Sequence, residues 1–152
     1  MPFLGSEDPR EIHGFGIQYA HPGSRKLRFK QYLPEVIHEV YYHRSASPGV
    51  DIDPPNKVDA LGILSFARYR GEYKDGVAFY FDIGAGLHYA DQRTVDLSSR
   101  LSSTPMLGIG VSVRDHRQEL LIGLRFLHIS NAGLVGNNQG QNQVLITVGF
   151  RF

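Results

Sequence analysis

Alternation with a period of two organises the last third of the chain. Val144, Ile146, Val148, Phe150 and Phe152 fall on one face of an extended segment, and Gln143, Thr147, Gly149 and Arg151 fall on the other. The preceding run repeats the pattern, with Leu120, Ile122, Leu124 and Phe126 sharing a face that continues into His128 and Ser130. Two earlier runs do the same. Phe79, Phe81, Ile83, Ala85, Leu87 and Tyr89 oppose Asp82, Gly84, Gly86 and His88, and Leu107, Ile109, Val111 and Val113 oppose Gly108, Gly110, Ser112 and Arg114. One face is apolar and the other small or polar, which is how strands of a membrane barrel divide between lipid and lumen.

Turn chemistry separates strand-like runs at about 11–20, 25–33, 36–45, 57–72, 77–90, 105–114, 119–130 and 142–152. The pattern predicts an all-β protein, an eight-stranded antiparallel transmembrane β-barrel of outer-membrane type, with residues 1–152 forming a single barrel domain. Connection lengths alternate as this topology requires: Lys74-Asp75-Gly76 and Asp115 to Gln118 are short, while 46–56, 91–104 and 131–141 are long. A turn near Leu33-Pro34-Glu35 separates the second run from the third. Without it, residues 25–45 make one strand and the N-terminus lies at the other end of the barrel.

Composition narrows the alternatives. The 152 residues carry 16 Lys plus Arg against 15 Asp plus Glu, a balance that gives no reason to expect nucleic acid as a partner. Zero cysteines excludes a disulfide framework and a thiolate metal site. No stretch approaches the ~20 apolar residues of a membrane helix, so a membrane role requires strands. The 17 glycines, 9 Phe and 8 Tyr suit small lumen residues and aromatic girdles. No charged-then-apolar leader is read in Met1 to Arg10, and the expectation is a mature chain trimmed of its signal peptide.

Candidate chemistry lies at the end of the apolar wall. His128 and Ser130, two residues apart on a strand, project from one face with Cα atoms roughly 6.6 Å apart, within reach of an imidazole and a hydroxyl. Serine needs a base to become a nucleophile, and the base works better with its tautomer fixed by a third group. If the hairpin sets Ser130 opposite Asn142, that amide lies diagonal to His128 and within reach of it. On spacing alone, a His and a Ser at the wet end of a strand are common structural residues. His38, His43, His88 and His116 show no zinc spacing, and the Gly-x-Gly pairs at 84–86 and 108–110 alternate with apolar residues on strands, so no metal and no cofactor is expected. Asp82, Arg68, Arg125 and Arg151 are candidates for an interior polar network, and Glu119 falls at the opposite end of its strand from His128.

The run His128-Ile129-Ser130-Asn131-Ala132-Gly133-Leu134, followed by Asn138-Gln139-Gly140 and an alternating strand ending in an aromatic, resembles the C-terminal signature of the lipid A 3-O-deacylase (PagL) family. The resemblance covers about 120–152 strongly and the fourth to sixth strands in length and patterning. It implies an outer-membrane esterase acting on lipid A of lipopolysaccharide, in contact with outer-membrane lipids. It also implies Ser130 as nucleophile, His128 as base and Asn131 as stabiliser of the oxyanion. The family's glutamate, twelve residues beyond the serine, falls here on Asn142. An amide in that place implies a slower hydrolase. It also sustains the competing expectation of a non-catalytic barrel that keeps the scaffold for a structural or envelope-interaction role. Lipid A phosphates would favour cations in outer loops, for which Arg93, Arg100, Arg25 and Lys26 are candidates.

Overall fold

The computed structural model describes residues 10–49, 56–94, 96–132 and 140–152. The proline-rich stretch from Asp51 and, within the motif, Gly133, Leu134, Asn138 and Gln139 lie outside the described residues. The strands are β1 (Glu11–Pro22), β2 (Glu35–Ser47), β3 (Asn56–Arg70), β4 (Val77–Ala90), β5 (Leu101–Ser103), β6 (Met106–Asp115), β7 (Gln118–Ile129) and β8 (Gln141–Arg151). They form an eight-stranded antiparallel sheet in the order β1-β2-β3-β4-β6-β7-β8, with β5 paired to β4. It curls into a nearly closed barrel. The β3–β4 and β6–β7 connections are short and share one end; the β2–β3, β4–β5 and β7–β8 connections are at the other.

The faces follow the alternation. Phe79 is 75% exposed, Ile146 79% and Phe150 71%, while Ala78, Tyr80 and Asp82 between the outward residues of β4 are buried. A wall this apolar, continuous over every long strand, is the surface that meets a bilayer. Inward-facing Ile37, Tyr41, Leu64, Phe66, Met106 and Leu127 pack together in the lumen. Gly62 makes room for them: a Cβ there would collide with the Tyr41 ring.

The segment 25–33, expected as the second strand, is not one. Ser24 accepts the Lys26 N–H at 3.2 Å and starts a 3-10 turn over Arg25–Leu27. Phe29 then bridges Tyr32 around Lys30, whose φ is +53°, so the reversal falls at Lys30–Gln31, ahead of Pro34. The apolar residues of this segment find a partner on the wall: Tyr69 donates its hydroxyl to the Leu27 carbonyl at 2.8 Å and meets the Phe29 ring edge-on at 6.2 Å. The eighth strand is instead the short β5, in a stretch expected to be loop. As a result β1 and β8 run in the same direction, and among the described residues no ladder joins them. A cavity of about 910 Å³, lined from both strands by Gly14, Gly16, Thr147 and Gly149, lies between them and reaches Arg125 and His43 in the lumen.

Interior charges are paired locally. Arg68 holds Asp82 through two hydrogen bonds of 2.8 and 2.7 Å, and Arg125 holds Glu39 at 2.7 and 3.0 Å. Arg151 donates to Glu35 at 2.8 Å, and Arg70 lies 3.0 Å from Glu119. The expected network of Asp82, Arg68, Arg125 and Arg151 is thus divided: Arg68 pairs with Asp82 and Arg125 with Glu39, while Arg151 joins Arg70, Glu35 and Glu119 in a cluster of its own. Among the lumen histidines, His88 Nδ1 is hydrogen-bonded to Tyr41 Oη at 2.9 Å, and the His43 ring lies tilted against that of Tyr41 with centroids 4.4 Å apart.

Candidate active site

The closing hairpin pairs Leu120 with Phe150, Leu124 with Ile146 and His128 with Asn142. The register, which the sequence left open, is two residues away from the one that would set Ser130 opposite Asn142, and Asn142 stands directly opposite His128. Direct opposition brings the two side chains together on the outward face: His128 Nδ1 and Asn142 Oδ1 are 2.8 Å apart. An amide oxygen only accepts, so Nδ1 carries the proton and Nε2 keeps its lone pair. A lone pair on Nε2 is able to accept a hydrogen bond from a hydroxyl. Both residues are half-buried, above the lipid-facing Leu124 and Ile146.

Ser130 follows the last residue of β7 and is held by β5. Its N–H donates to the Ser103 carbonyl at 3.0 Å, its carbonyl accepts the Ser103 N–H at 2.7 Å, and Ser103 Oγ donates to the same carbonyl at 2.9 Å. One turn of ladder earlier, the His128 N–H donates to the Pro105 carbonyl at 3.0 Å. The short strand thus fixes the backbone on which base and nucleophile candidates sit. A three-residue strand carries too little alternation to read from sequence.

Two further contacts brace the hairpin ends. Gly140 has φ of +77°, and a Cβ on it would lie 2.7 Å from His128 Cε1 and 3.2 Å from Nε2, so the glycine clears the Cε1–Nε2 edge of the ring. Its N–H donates to the carbonyl of Asp96, a residue with no solvent exposure, at 3.2 Å. Asn131 is buried, and its Nδ2 donates to Ser98 Oγ at 3.1 Å. Asp96 and Ser98 belong to the β4–β5 connection, which therefore ties both strands of the hairpin. Sequence reasoning named Gly140 only as part of the motif and passed over Asp96, Ser98 and Ser103; a glycine at a hairpin end can mark a close backbone approach, which was the signal available.

The charged candidates separate. Arg93 and Arg100 are exposed on the β4–β5 connection, at the same end as His128. Arg25 and Lys26 lie in the β1–β2 connection at the opposite end, contrary to the outer-loop placement expected. Asp82 and Glu119 are occupied by arginines in the lumen, away from the hairpin's outward face. Among the described residues no group of three or more His, Cys, Asp or Glu is arranged to hold a metal ion.

A nearly closed antiparallel barrel with an apolar exterior, on which His128 and Asn142 meet, defines an outer-membrane protein. The family model for lipid A 3-O-deacylase (PagL) matches residues 13–151. The chain belongs to that family. The crystal structure of the outer membrane enzyme PagL superposes with a TM-score of 0.66 at 17% identity, covering 91% of this chain and 87% of that one, a likeness of fold. No match was found among curated proteins.

Proposed function

We propose that the chain is a serine esterase that removes the 3-O-linked acyl chain from lipid A. The observation that carries this reading is the 2.8 Å contact between His128 Nδ1 and Asn142 Oδ1, which leaves Nε2 basic on the face shared with Ser130. Ser130 Oγ attacks the ester carbonyl carbon while His128 Nε2 takes its proton. The tetrahedral oxyanion is stabilised by Asn131, whose orientation is set by Ser98. Collapse expels the 3-hydroxyl of the sugar, protonated by His128. Water, activated by the same base, then releases the fatty acid from Ser130.

Placement favours a lipid substrate. A small barrel is filled by its own side chains, and this lumen is occupied by buried ion pairs, whereas the outer wall is open to the membrane in which lipid A resides. Arg93 and Arg100 are at the right end to meet the phosphates. No cofactor enters the reaction. The competing reading, a non-catalytic barrel in an envelope role, draws on one observation, the amide at 142 where the family pattern has a carboxylate.

Purified protein in detergent, incubated with lipid A and followed by mass spectrometry, separates the two. The esterase reading expects loss of one ester-linked acyl chain, abolished in Ser130→Ala and His128→Ala. Acyl loss that survives Ser130→Ala removes the mechanism, and inactivity of all three proteins favours the scaffold.

A further inference from the structure

The same outer wall carries a hydroxyl–imidazole arrangement built from β1, β2 and β3. Ser65 Oγ lies 2.5 Å from His38 Nδ1, His38 Nε2 lies 3.3 Å from His21 Nε2, and His21 Nδ1 lies 3.0 Å from the Pro22 carbonyl. The protons in this chain are fixed by its end. A carbonyl only accepts, so His21 Nδ1 carries a proton and His21 Nε2 is a lone pair; His38 Nε2–H then donates to it, and His38 Nδ1 accepts from the Ser65 hydroxyl. The two rings lie 25° from coplanar with centroids 5.4 Å apart, consistent with a nitrogen-to-nitrogen contact. His38 and Ser65 are cross-strand partners, so the ladder sets their approach.

Its place in the membrane bears on its role. Ser65 and His38 are exposed among lipid-facing Val40, Leu61 and Ile63. His38 is three residues from the start of β2 at the inner end, about 10 Å along the strand. That is the inner margin of an apolar band ~25 Å tall, next to Tyr19, whose ring lies 6.0 Å from that of His21. Ionisable groups on a lipid-facing wall are costly, and their presence marks a functional position. Ester carbonyls of the inner leaflet lie at this boundary between hydrocarbon and headgroup.

We propose that Ser65 is a second nucleophilic hydroxyl, taking an acyl group from inner-leaflet glycerophospholipids with His38 as base. Ser65 Oγ attacks an acyl carbonyl carbon and passes its proton to His38 Nδ1. The glycerol oxygen leaves as the hydroxyl of a lysophospholipid, receiving that proton, and water activated by the same nitrogen frees the fatty acid. His21 is a positioning residue that holds the His38 tautomer.

The test uses the full chain carrying Ser130→Ala, so that it is independent of the lipid A reading. The protein is reconstituted in vesicles of phosphatidylethanolamine and phosphatidylglycerol, treated with a fluorophosphonate probe, and followed by peptide mass spectrometry and lysophospholipid release. A covalent adduct on Ser65 is expected, with slow lysophospholipid formation that disappears on adding Ser65→Ala. Adding His38→Gln should slow labelling about 100-fold, the scale of lost general-base assistance. His21→Ala should slow it less, with Gln at 21, able to accept from His38, restoring part of the rate. Ser65, His38 and His21 point away from the lumen, so heat-modifiable mobility on gels should be unchanged by their substitution. Absence of a Ser65 adduct in folded protein, or labelling that is indifferent to His38→Gln, overturns the proposal and leaves the chain as a way of satisfying polar groups in lipid.

Discussion

His128 and Asn142 occupy one rung of the β7–β8 ladder, Nδ1 to Oδ1 at 2.8 Å. In the proposed mechanism the amide oxygen performs one of the two tasks of a triad carboxylate: it fixes the tautomer with the lone pair on Nε2. It does not supply negative charge to the imidazolium that forms when Ser130 is deprotonated. In the serine protease template, replacing the acid by its amide costs roughly 10⁴ in turnover because the wrong tautomer results. Here the register presents the oxygen, so the deficit is confined to the charge.

The first prediction follows from that division. A unit charge about 4 Å from the imidazolium is worth ~4 kcal/mol at an effective dielectric near 20, an upper limit of roughly 10³ in rate. Asn142→Glu should therefore raise acyl release from lipid A by one to three orders of magnitude, approximately, with little change in KM. An unchanged or lower rate would assign the orienting role to another group.

Gly140 provides a second test. Its φ is +77°, and a Cβ placed there would lie only 2.7 Å from His128 Cε1, too close for a methyl group. Gly140→Ala should displace the imidazole and lower kcat about 100-fold, the scale expected for a misplacement near 1 Å. It should also cost ~1–2 kcal/mol of stability from the left-handed backbone. A variant with wild-type kcat would show that the ring edge is not held there.

Arg68 and Asp82 are 5% and 4% exposed and pair in the lumen. Breaking such a pair by removing one partner costs about 3–5 kcal/mol, since the other charge stays buried. Arg68→Met should lower the urea midpoint accordingly, and Arg68→Met combined with Asp82→Leu should recover most of it. Equal destabilisation in the single and double variants would place the cost in packing.

Ile146, midway along β8 and 79% exposed, probes the lipid contact. Ile146→Arg should reduce folding stability in lipid vesicles by about 2–4 kcal/mol, the depth-dependent cost of a cation on a barrel wall. A neutral effect would mean that β8 does not face hydrocarbon.

Much of the fold was legible in the chain because lipid and lumen impose opposite demands on adjacent residues. The period-two alternation of 79–89, 107–113, 120–126 and 144–152 gave the strands, their outward faces and the barrel. The motif from His128 to Asn131 gave the family and the candidate pair. The same parity put both on the wall, since side-chain direction in a strand is local. The segment 25–33 misled because Leu27, Phe29 and Leu33 alternate like a strand, yet the segment folds back on Tyr69, which meets the Phe29 ring and donates to the Leu27 carbonyl.

Tertiary pairing decided the rest. Which residue stands opposite His128 depends on register, which the whole hairpin's ladder sets and no local preference encodes. The grip of Ser103 on Ser130, the ties from Asp96 and Ser98, the partners of Arg68 and Arg125, and the meeting of His21, His38 and Ser65 all join residues distant in sequence. Alternation is a property of one strand in its solvent, so the sequence carries it; contacts between strands exist only once the sheet has chosen its order and closed.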